Sequence, residues 1–343
     1  MNSKIWQELL ILESRDSVSN LYTKIHSRTL NAQRTIAITN AAKQAREYFR
    51  NAYNANYSVK PLLTFYGIAS LSRSLILLLK RSGGEETLSM GHGLTAEAWR
   101  DTFSGNMEQN LSSLLDLKIS SSSGLFSDLL AAIENTSCIN TNGSNPNWHI
   151  SYPISERYEL KFGDILKRLA DIRSDLLTAN HTPLSSLISD ISFNLQEGLK
   201  INTYSEVESN SVSELLAYNY TVSPDSKVIS ATADIFQNAP LIFTHTNINK
   251  MFGSIPQLHF SPPLLSNKHV CEIGLLYIAS FTMSMLVRYF PTIWVSITQG
   301  EKGDVLWPTI YKTQQVVESS FPELVLNLIN YKIKNSEIQT NEN

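Results

Sequence analysis

The sequence is poor in the residues that build the usual metal and disulfide sites. Its two cysteines, Cys138 and Cys271, lack CxxC or CxxH spacing, which excludes the common zinc sites and a disulfide framework. Seven histidines are scattered without metal-ligand spacing, and no HExxH, GxSxG or Walker sequence occurs. We therefore expect no metal and no other cofactor, and whether the chain is an enzyme stays open.

Charge is also scarce. Charged residues make up 17% of the 343 residues and the formal net charge is −3, so no global basic field attracts nucleic acid. Any contact with RNA or a nucleotide must come from a local patch. A chain of this length that is 42% hydrophobic can bury a sizeable core, and its low charge favours a surface hidden against a protein partner or a second copy.

Long apolar runs are missing too. The longest uncharged apolar stretch, residues 273–287, has fifteen residues, fewer than the roughly 20 that a spanning helix needs. The first sixteen residues contain no small-residue cleavage site. We expect a cytoplasmic protein that does not enter a membrane.

What the sequence does contain is helical periodicity at both ends. Apolar residues recur at helical spacing over residues 33–53 and 61–81, and the second segment is apolar on nearly every side, as in a central helix. Residues 158–177 return to helical spacing. Near the end, helices are predicted over 269–289, 305–320 and 322–333, followed by a frayed polar tail from residue 334.

The middle of the chain changes character. Residues 115–133 predict a short strand, a serine turn and a short helix, and residues 135–148 predict a loop. Apolar and polar residues alternate between residues 187 and 260, which predicts strands at 191–196, 199–204, 227–236 and 240–246.

These patterns predict an α+β protein that is mostly helical. We expect a helical bundle over residues 1–110, a mixed, strand-containing region over 111–265 and a C-terminal helical region over 266–343. The last region should pack on the N-terminal helices, because the apolar segment 61–81 needs partners on more than one side.

The stretch SMGHGLTAEAW, residues 89–99, places His92 between Gly91 and Gly93. Thr95 is suited to cap a helix that starts there. His92 is then a base or an anion ligand near a helix N-terminus. In the alternative, the two glycines adopt special backbone angles and the imidazole bonds the end of a neighbouring helix.

Two arginines complete the candidate site. Arg73, in the apolar helix, either holds phosphate with its guanidinium or forms an internal ion pair with Glu47 or Glu97. A helix rises 1.5 Å per residue, so Arg73 lies about 12 Å from the helix end. We therefore expect Arg73 and His92 to converge on one pocket.

Arg288 belongs to the sequence RYFPTIW, where a helix meets Pro291. Beside Tyr289 and Trp294, it either stacks on a base or closes a corner of the core.

Three stretches carry a family resemblance. QAREYFRNAYNANYSVKPLLTFYGIASLSRSLILLL with the following GHGL, then LVRYFPTIW, then SSFPELVLNLI, occur in that order between Arg34 and Ile329. Together they resemble the YaaC-like proteins of bacteria. The first half is also similar to the HEPN superfamily, whose helical bundles occur in toxins, ribonucleases and antiviral systems.

The HEPN resemblance implies a component that binds nucleic acid or a nucleotide, in defence against phage. Active HEPN ribonucleases carry an arginine, four to six residues, and then a histidine. Here eighteen residues separate Arg73 from His92 and seven separate Arg173 from His181, so the resemblance does not carry ribonuclease activity over. The alternative is a non-catalytic interaction or scaffold subunit of a multi-protein complex.

Overall fold

Helices dominate both ends of the chain. The structure is a computed structural model that describes residues 3–140, 147–251, 255–300 and 303–341. The N-terminal helices are α1 (Ser3–Leu9), α2 (Arg15–His26), α3 (Ala32–Asn54) and α4 (Lys60–Leu79). The C-terminal helices are α12 (Glu272–Tyr289), α13 (Pro291–Thr298) and α14 (Trp307–Asn341).

Shorter helices lie between strands in the middle of the chain. They are α5 (Trp99–Thr102), α6 (Met107–Ser112), α7 (Leu125–Ala132), α8 (Phe162–Leu166), α9 (Arg173–Thr178), α10 (Ser209–Ala217) and α11 (Ala233–Asn238). The described residues thus form fourteen α-helices, together with several single 3₁₀ turns.

In the described part of the chain, three antiparallel sheets accompany the helices. The first has the order β1 (Leu94–Glu97), β2 (Lys118–Ser121), β5 (Glu159–Lys161), and the second pairs β3 (Thr136–Asn140) with β4 (Asn147–Ser151). The third contains β6 (Ser186–Asn194), β7 (Gly198–Thr203), β8 (Thr221–Val222), β9 (Val228–Ala231), β10 (Ile242–Met251) and β11 (Ile255–Ser261), in the order β10-β11-β6-β7-β9-β8.

The predicted class, α+β and mostly helical, is confirmed. Helix α4 packs against α3, α7, α12 and α14, and α14 also packs against α1 and α2. The C-terminal helices therefore do pack on the N-terminal ones, as the apolar surface of α4 requires. The division of the chain at residues 110 and 265 stays a prediction.

Several predicted elements are wrong in detail. The helix over 158–177 is divided into β5, α8 and α9, because Leu160 pairs with Ile119 in the first sheet. The loop over 135–148 contains β3 and the start of β4, and residues 141–146 lie outside the described residues. Residues 233–236, predicted as strand, belong to α11.

The last two predicted helices are one. Helix α14 continues through Pro322 and through the predicted frayed tail to Asn341. Proline removes one backbone hydrogen bond within a helix, but Phe321 and Val325 beside it are fully buried. Burial of these side chains on the core offsets the loss.

Among the described residues, one helix has the length and composition of a membrane span. Over the apolar window of α4, 78% of the residues are buried inside the protein, as in the central helix of a core. Helices α12 and α13 pass the same test only as a pair, and they are bent by 107° at Pro291. The length and composition of these helices are therefore only weak evidence for a membrane span.

Two buried arginines donate hydrogen bonds to backbone carbonyls. Arg34 donates from Nε and Nη2 to the carbonyl of Leu77 (2.9 and 2.6 Å) and also to that of Lys80. Arg168 donates to the carbonyls of Pro262 (3.1 Å) and Pro263 (2.6 Å). The carbonyls at a helix end have no partner within the helix, so Arg34 supplies the donors that α4 lacks.

Replacing Arg34 should therefore cost stability. In an Arg34→Met variant, the carbonyls at the end of α4 lose their donor while they stay buried, which costs about 1–3 kcal/mol. The free energy of unfolding in urea measures this. The control is Arg50→Met, which changes an exposed residue of α3, the helix that also carries Arg34. It should change the free energy of unfolding by less than about 0.5 kcal/mol. Equal losses in both variants would contradict the capping role.

Candidate functional site

The main chain of the Gly91–His92–Gly93 turn caps a helix. The carbonyls of Gly91 and His92 accept hydrogen bonds from the amides of Leu125 and Phe126 in the first turn of α7, both at 3.1 Å. These amides are therefore already paired, and they are not open to an anion. A helix N-terminus does lie at the turn, but it is not the one that the sequence predicted.

The predicted helix cap at Thr95 is wrong. Thr95 lies in β1 opposite Ser120 of β2, and the following short helix starts only at Trp99. A threonine suits either a cap or a strand, and the pairing with β2, which lies more than twenty residues later in the sequence, decides between them.

Both glycines of the turn have left-handed backbone angles, with φ of +81° at Gly91 and +76° at Gly93. Their surroundings differ. A Cβ at Gly93 would lie 2.8 Å from the backbone nitrogen of Phe126, whereas no atom lies within 4 Å of a Cβ at Gly91. Gly93 is therefore required by both conformation and space, and Gly91 by conformation alone.

The imidazole of His92 lies half-buried on aromatic rings. Its centroid is 4.9 Å from that of Phe65 in an edge contact and 6.3 Å from that of Phe281. Tyr277 donates a hydrogen bond of 3.0 Å to the His92 carbonyl. Neither ring nitrogen has a hydrogen-bond partner among the residues that the structure describes. In this part of the chain, the backbone of the turn caps a helix, and the imidazole does not.

The field at His92 is positive. Burial lowers the pKa of the imidazole below 6.5, and the charges of Arg288 and Arg73 lower it further. The ring is consequently neutral at pH 7. The structure thus places both arginines within electrostatic reach of His92, as the expected convergence requires, while the pocket itself stays a prediction.

Arg73 is exposed. The alternative of an internal ion pair is not seen in the described part of the chain. There, Glu97 pairs with Arg157 at 2.9 Å and Glu47 with Arg50 at 2.5 Å.

Arg288 and Tyr289 lie in a different environment from Trp294. Its guanidinium lies 5.1 Å from the ring centroid of Tyr289, and both side chains are exposed. Trp294 is buried, and its Nε1 donates to the carbonyl of Tyr57 at 2.7 Å. Trp294 therefore closes the core, whereas Arg288 and Tyr289 face solvent.

Two tyrosines that no sequence pattern singled out lie near His92. Tyr48 of α3 stacks on Tyr66 of α4 with ring centroids 5.6 Å apart, and Tyr66 meets His92 edge-on at 6.5 Å. We call Tyr48, Tyr66 and His92 the aromatic row. Tyr66 and Arg73 are seven residues apart, on one face of the helix. That spacing is the signal by which the sequence could have linked them.

An open groove continues from Tyr289. Its volume is about 490 Å³, and its walls include Trp99, Met285 and Phe290. Among the described residues no group of three His, Cys, Asp or Glu side chains could hold a metal ion. The arrangement around His92 therefore offers aromatic faces, a neutral imidazole and two exposed guanidinium groups.

Comparison with known proteins identifies one family. The family model for the YaaC-like protein matches residues 11–329, nearly the whole chain. Searches of curated proteins and of solved structures found no match.

The two glycines give a matched pair of variants. Gly91→Ala should cost about 1–2 kcal/mol, the strain of a left-handed alanine. Gly93→Ala carries the same strain plus the overlap with the backbone of α7, which adds about 1–3 kcal/mol. Unfolding in urea, followed by far-UV circular dichroism, measures both. Equal losses would show that the close approach of Gly93 to α7 is absent.

Proposed function

Because the chain belongs to the YaaC-like family, we propose that it is a cytoplasmic bacterial protein with a HEPN-like bundle that binds single-stranded nucleic acid on the aromatic row. The observation that carries the proposal is the His92 imidazole, which lies between aromatic rings and near two exposed arginines without a hydrogen-bond partner in the described residues. We place this activity in defence against phage, where HEPN-like proteins occur.

Base stacking supplies the first part of the binding energy. A base on Tyr48, Tyr66 or His92 gains about 1–3 kcal/mol by stacking, whatever its sequence. A neutral imidazole both donates and accepts a hydrogen bond, so His92 can contact a base edge or a sugar hydroxyl.

The arginines supply the second part. Arg73 and Arg288 are exposed and their charges act on His92, so each guanidinium can bind a phosphate beside the row. The whole chain carries a net charge of −3, which limits long-range attraction of nucleic acid to this surface. The phosphate contacts of the two arginines should make binding weaken as salt rises.

We propose binding and not cleavage. The Arg-to-His spacing of active HEPN ribonucleases is absent, and the described residues place no carboxylate on the His92 ring that would orient it as a general base.

Fluorescence anisotropy with a labelled single-stranded RNA tests the aromatic row. Tyr66→Ala should weaken binding about tenfold through the lost stacking contact. Arg73→Gln should weaken binding to every sequence and reduce the slope of log affinity against log salt by about one.

Lys200→Gln is the control. It removes an exposed charge from β7 in the six-stranded sheet and should leave RNA binding unchanged.

NMR titration of His92 gives a second measurement. A bound RNA phosphate should raise the pKa of His92, because it offsets the charges of Arg73 and Arg288. Absence of RNA binding, or equal affinity in wild type and Tyr66→Ala, would contradict the proposal.

A second candidate function is a scaffold or interaction subunit. An aromatic patch near the start of α14 favours it: Tyr57 stacks on Tyr311 at 4.8 Å and meets Trp307 at 5.3 Å. Tyr53 is 60% exposed and Tyr311 is 37% exposed. Exposed aromatic side chains of this kind are enriched at protein interfaces.

Sedimentation velocity tests the patch as a contact between two copies. The wild-type protein should sediment as an oligomer and the double variant Tyr53→Ser, Tyr311→Ser as a monomer. A monomeric wild type would exclude self-association through the patch.

A further inference from the structure

A cavity lies at the carboxyl end of α4, away from the aromatic row. Its volume is about 560 Å³, and it is bounded by the ends of α2, α4 and α7 and by α14. Binding sites for small molecules span about 300–1,000 Å³, so the cavity has room for a molecule well above the size of a single phosphate.

Cations from two helical segments line the cavity. Lys80 and Arg81 follow α4, and Lys332 comes from α14. One carboxylate, Glu134, pairs with Lys332 at 2.9 Å, and 67% of the Glu134 side chain is exposed. The lining therefore carries a positive excess.

Nearby positive charges lower the pKa of two histidines. The pKa of His26 is lowered by burial and, against the effect of its hydrogen bond to Leu78, by the charges of Arg34, Arg81 and Arg28. Beside Tyr331, the pKa of His149 is lowered by burial and then by the charge of Lys332, against the opposing effect of Glu134. Arg81 and Lys332 of the lining thus act on these two histidines.

The helix end does not account for these cations. Cations often neutralise the carbonyls at a helix C-terminus. At α4, however, other groups already donate to these carbonyls: Arg34 to Leu77 and Lys80, His26 to Leu78 at 2.9 Å, and Tyr22 to Arg81 at 2.7 Å. Within the described residues, the side chains of Lys80 and Arg81 have no hydrogen-bond or ion-pair partner.

An aromatic ring completes the lining. Tyr331 of α14 is half-buried at the cavity and packs against the ring of His149 with centroids 4.4 Å apart. Asn335, one turn later, adds an amide. A tyrosine ring and an amide suit a base, whereas the cations suit phosphates.

We infer that this cavity binds a free nucleotide, with its phosphates on Lys80, Arg81 and Lys332 and its base beside Tyr331. This site is separate from the aromatic row, because Tyr66 and Arg73 lie earlier on α4. Its failure and the failure of the RNA-binding proposal are distinguishable, since different variants affect each.

Calorimetry on the full chain with three probes tests the inference: inorganic phosphate, pyrophosphate and ATP. ATP should bind most tightly and phosphate most weakly. Arg81→Ala and Lys332→Ala should each weaken ATP binding about tenfold, the effect of one lost charge-assisted contact. Tyr331→Leu should weaken the binding of ATP but not of pyrophosphate.

Lys161→Ala is the matched control. It removes an exposed lysine that also pairs with one carboxylate, Asp116, at 2.9 Å, and it should leave ATP binding unchanged. Melting temperatures identify any variant that loses binding through unfolding, and Arg81 is exposed, so its variant should keep the fold. RNA binding should be the same in Arg81→Ala as in wild type.

Three results would overturn the inference. The first is the absence of ATP binding at millimolar concentration, and the second is ATP binding that is equal in wild type and Arg81→Ala. The third is equal affinity for pyrophosphate and ATP with no effect of Tyr331→Leu, which would leave an anion site without recognition of a base.

Discussion

The structure depends on burying helix α4 on most of its sides. No single neighbour can cover such a helix, so the chain brings α3 from before it, α7 from the middle and α12 and α14 from the end. Arg34 completes this arrangement by supplying donors to the carbonyls at the helix end. Both candidate binding surfaces lie where this ring of neighbours leaves α4 open: beside Tyr66 and beyond Leu79.

The turn at His92 shows how one short segment serves two purposes. Its backbone needs glycine, because both flanking residues have left-handed angles and Gly93 touches the backbone of α7. Its carbonyls accept hydrogen bonds from the first amides of α7, so the imidazole is not needed to cap that helix. The ring can therefore rest on Phe65 and complete the aromatic row, and its chemistry is that of a neutral ring in a positive field.

Positive charge is concentrated locally by the fold in a chain that is slightly acidic overall. Arg73 and Arg288 come from helices more than two hundred residues apart in sequence, yet both affect His92. Arg34 and Arg168, by contrast, are buried and are used to satisfy carbonyl groups. The surroundings of an arginine, and not its neighbours in sequence, decide whether it can bind a ligand.

Local periodicity was enough to predict the mostly helical class and the central place of α4, because apolar spacing is a property of neighbouring residues. The family was indicated separately, by the resemblance of three motifs that occur in order. The two glycines beside His92 indicated special backbone angles as one of two alternatives, and the structure has those angles at Gly91 and Gly93. Contacts between distant segments decided the rest: the strand at Thr95, the helix that continues through Pro322 and the stacking of Tyr48 on Tyr66. Strand pairing and burial depend on partners far away in the chain, which no local pattern encodes.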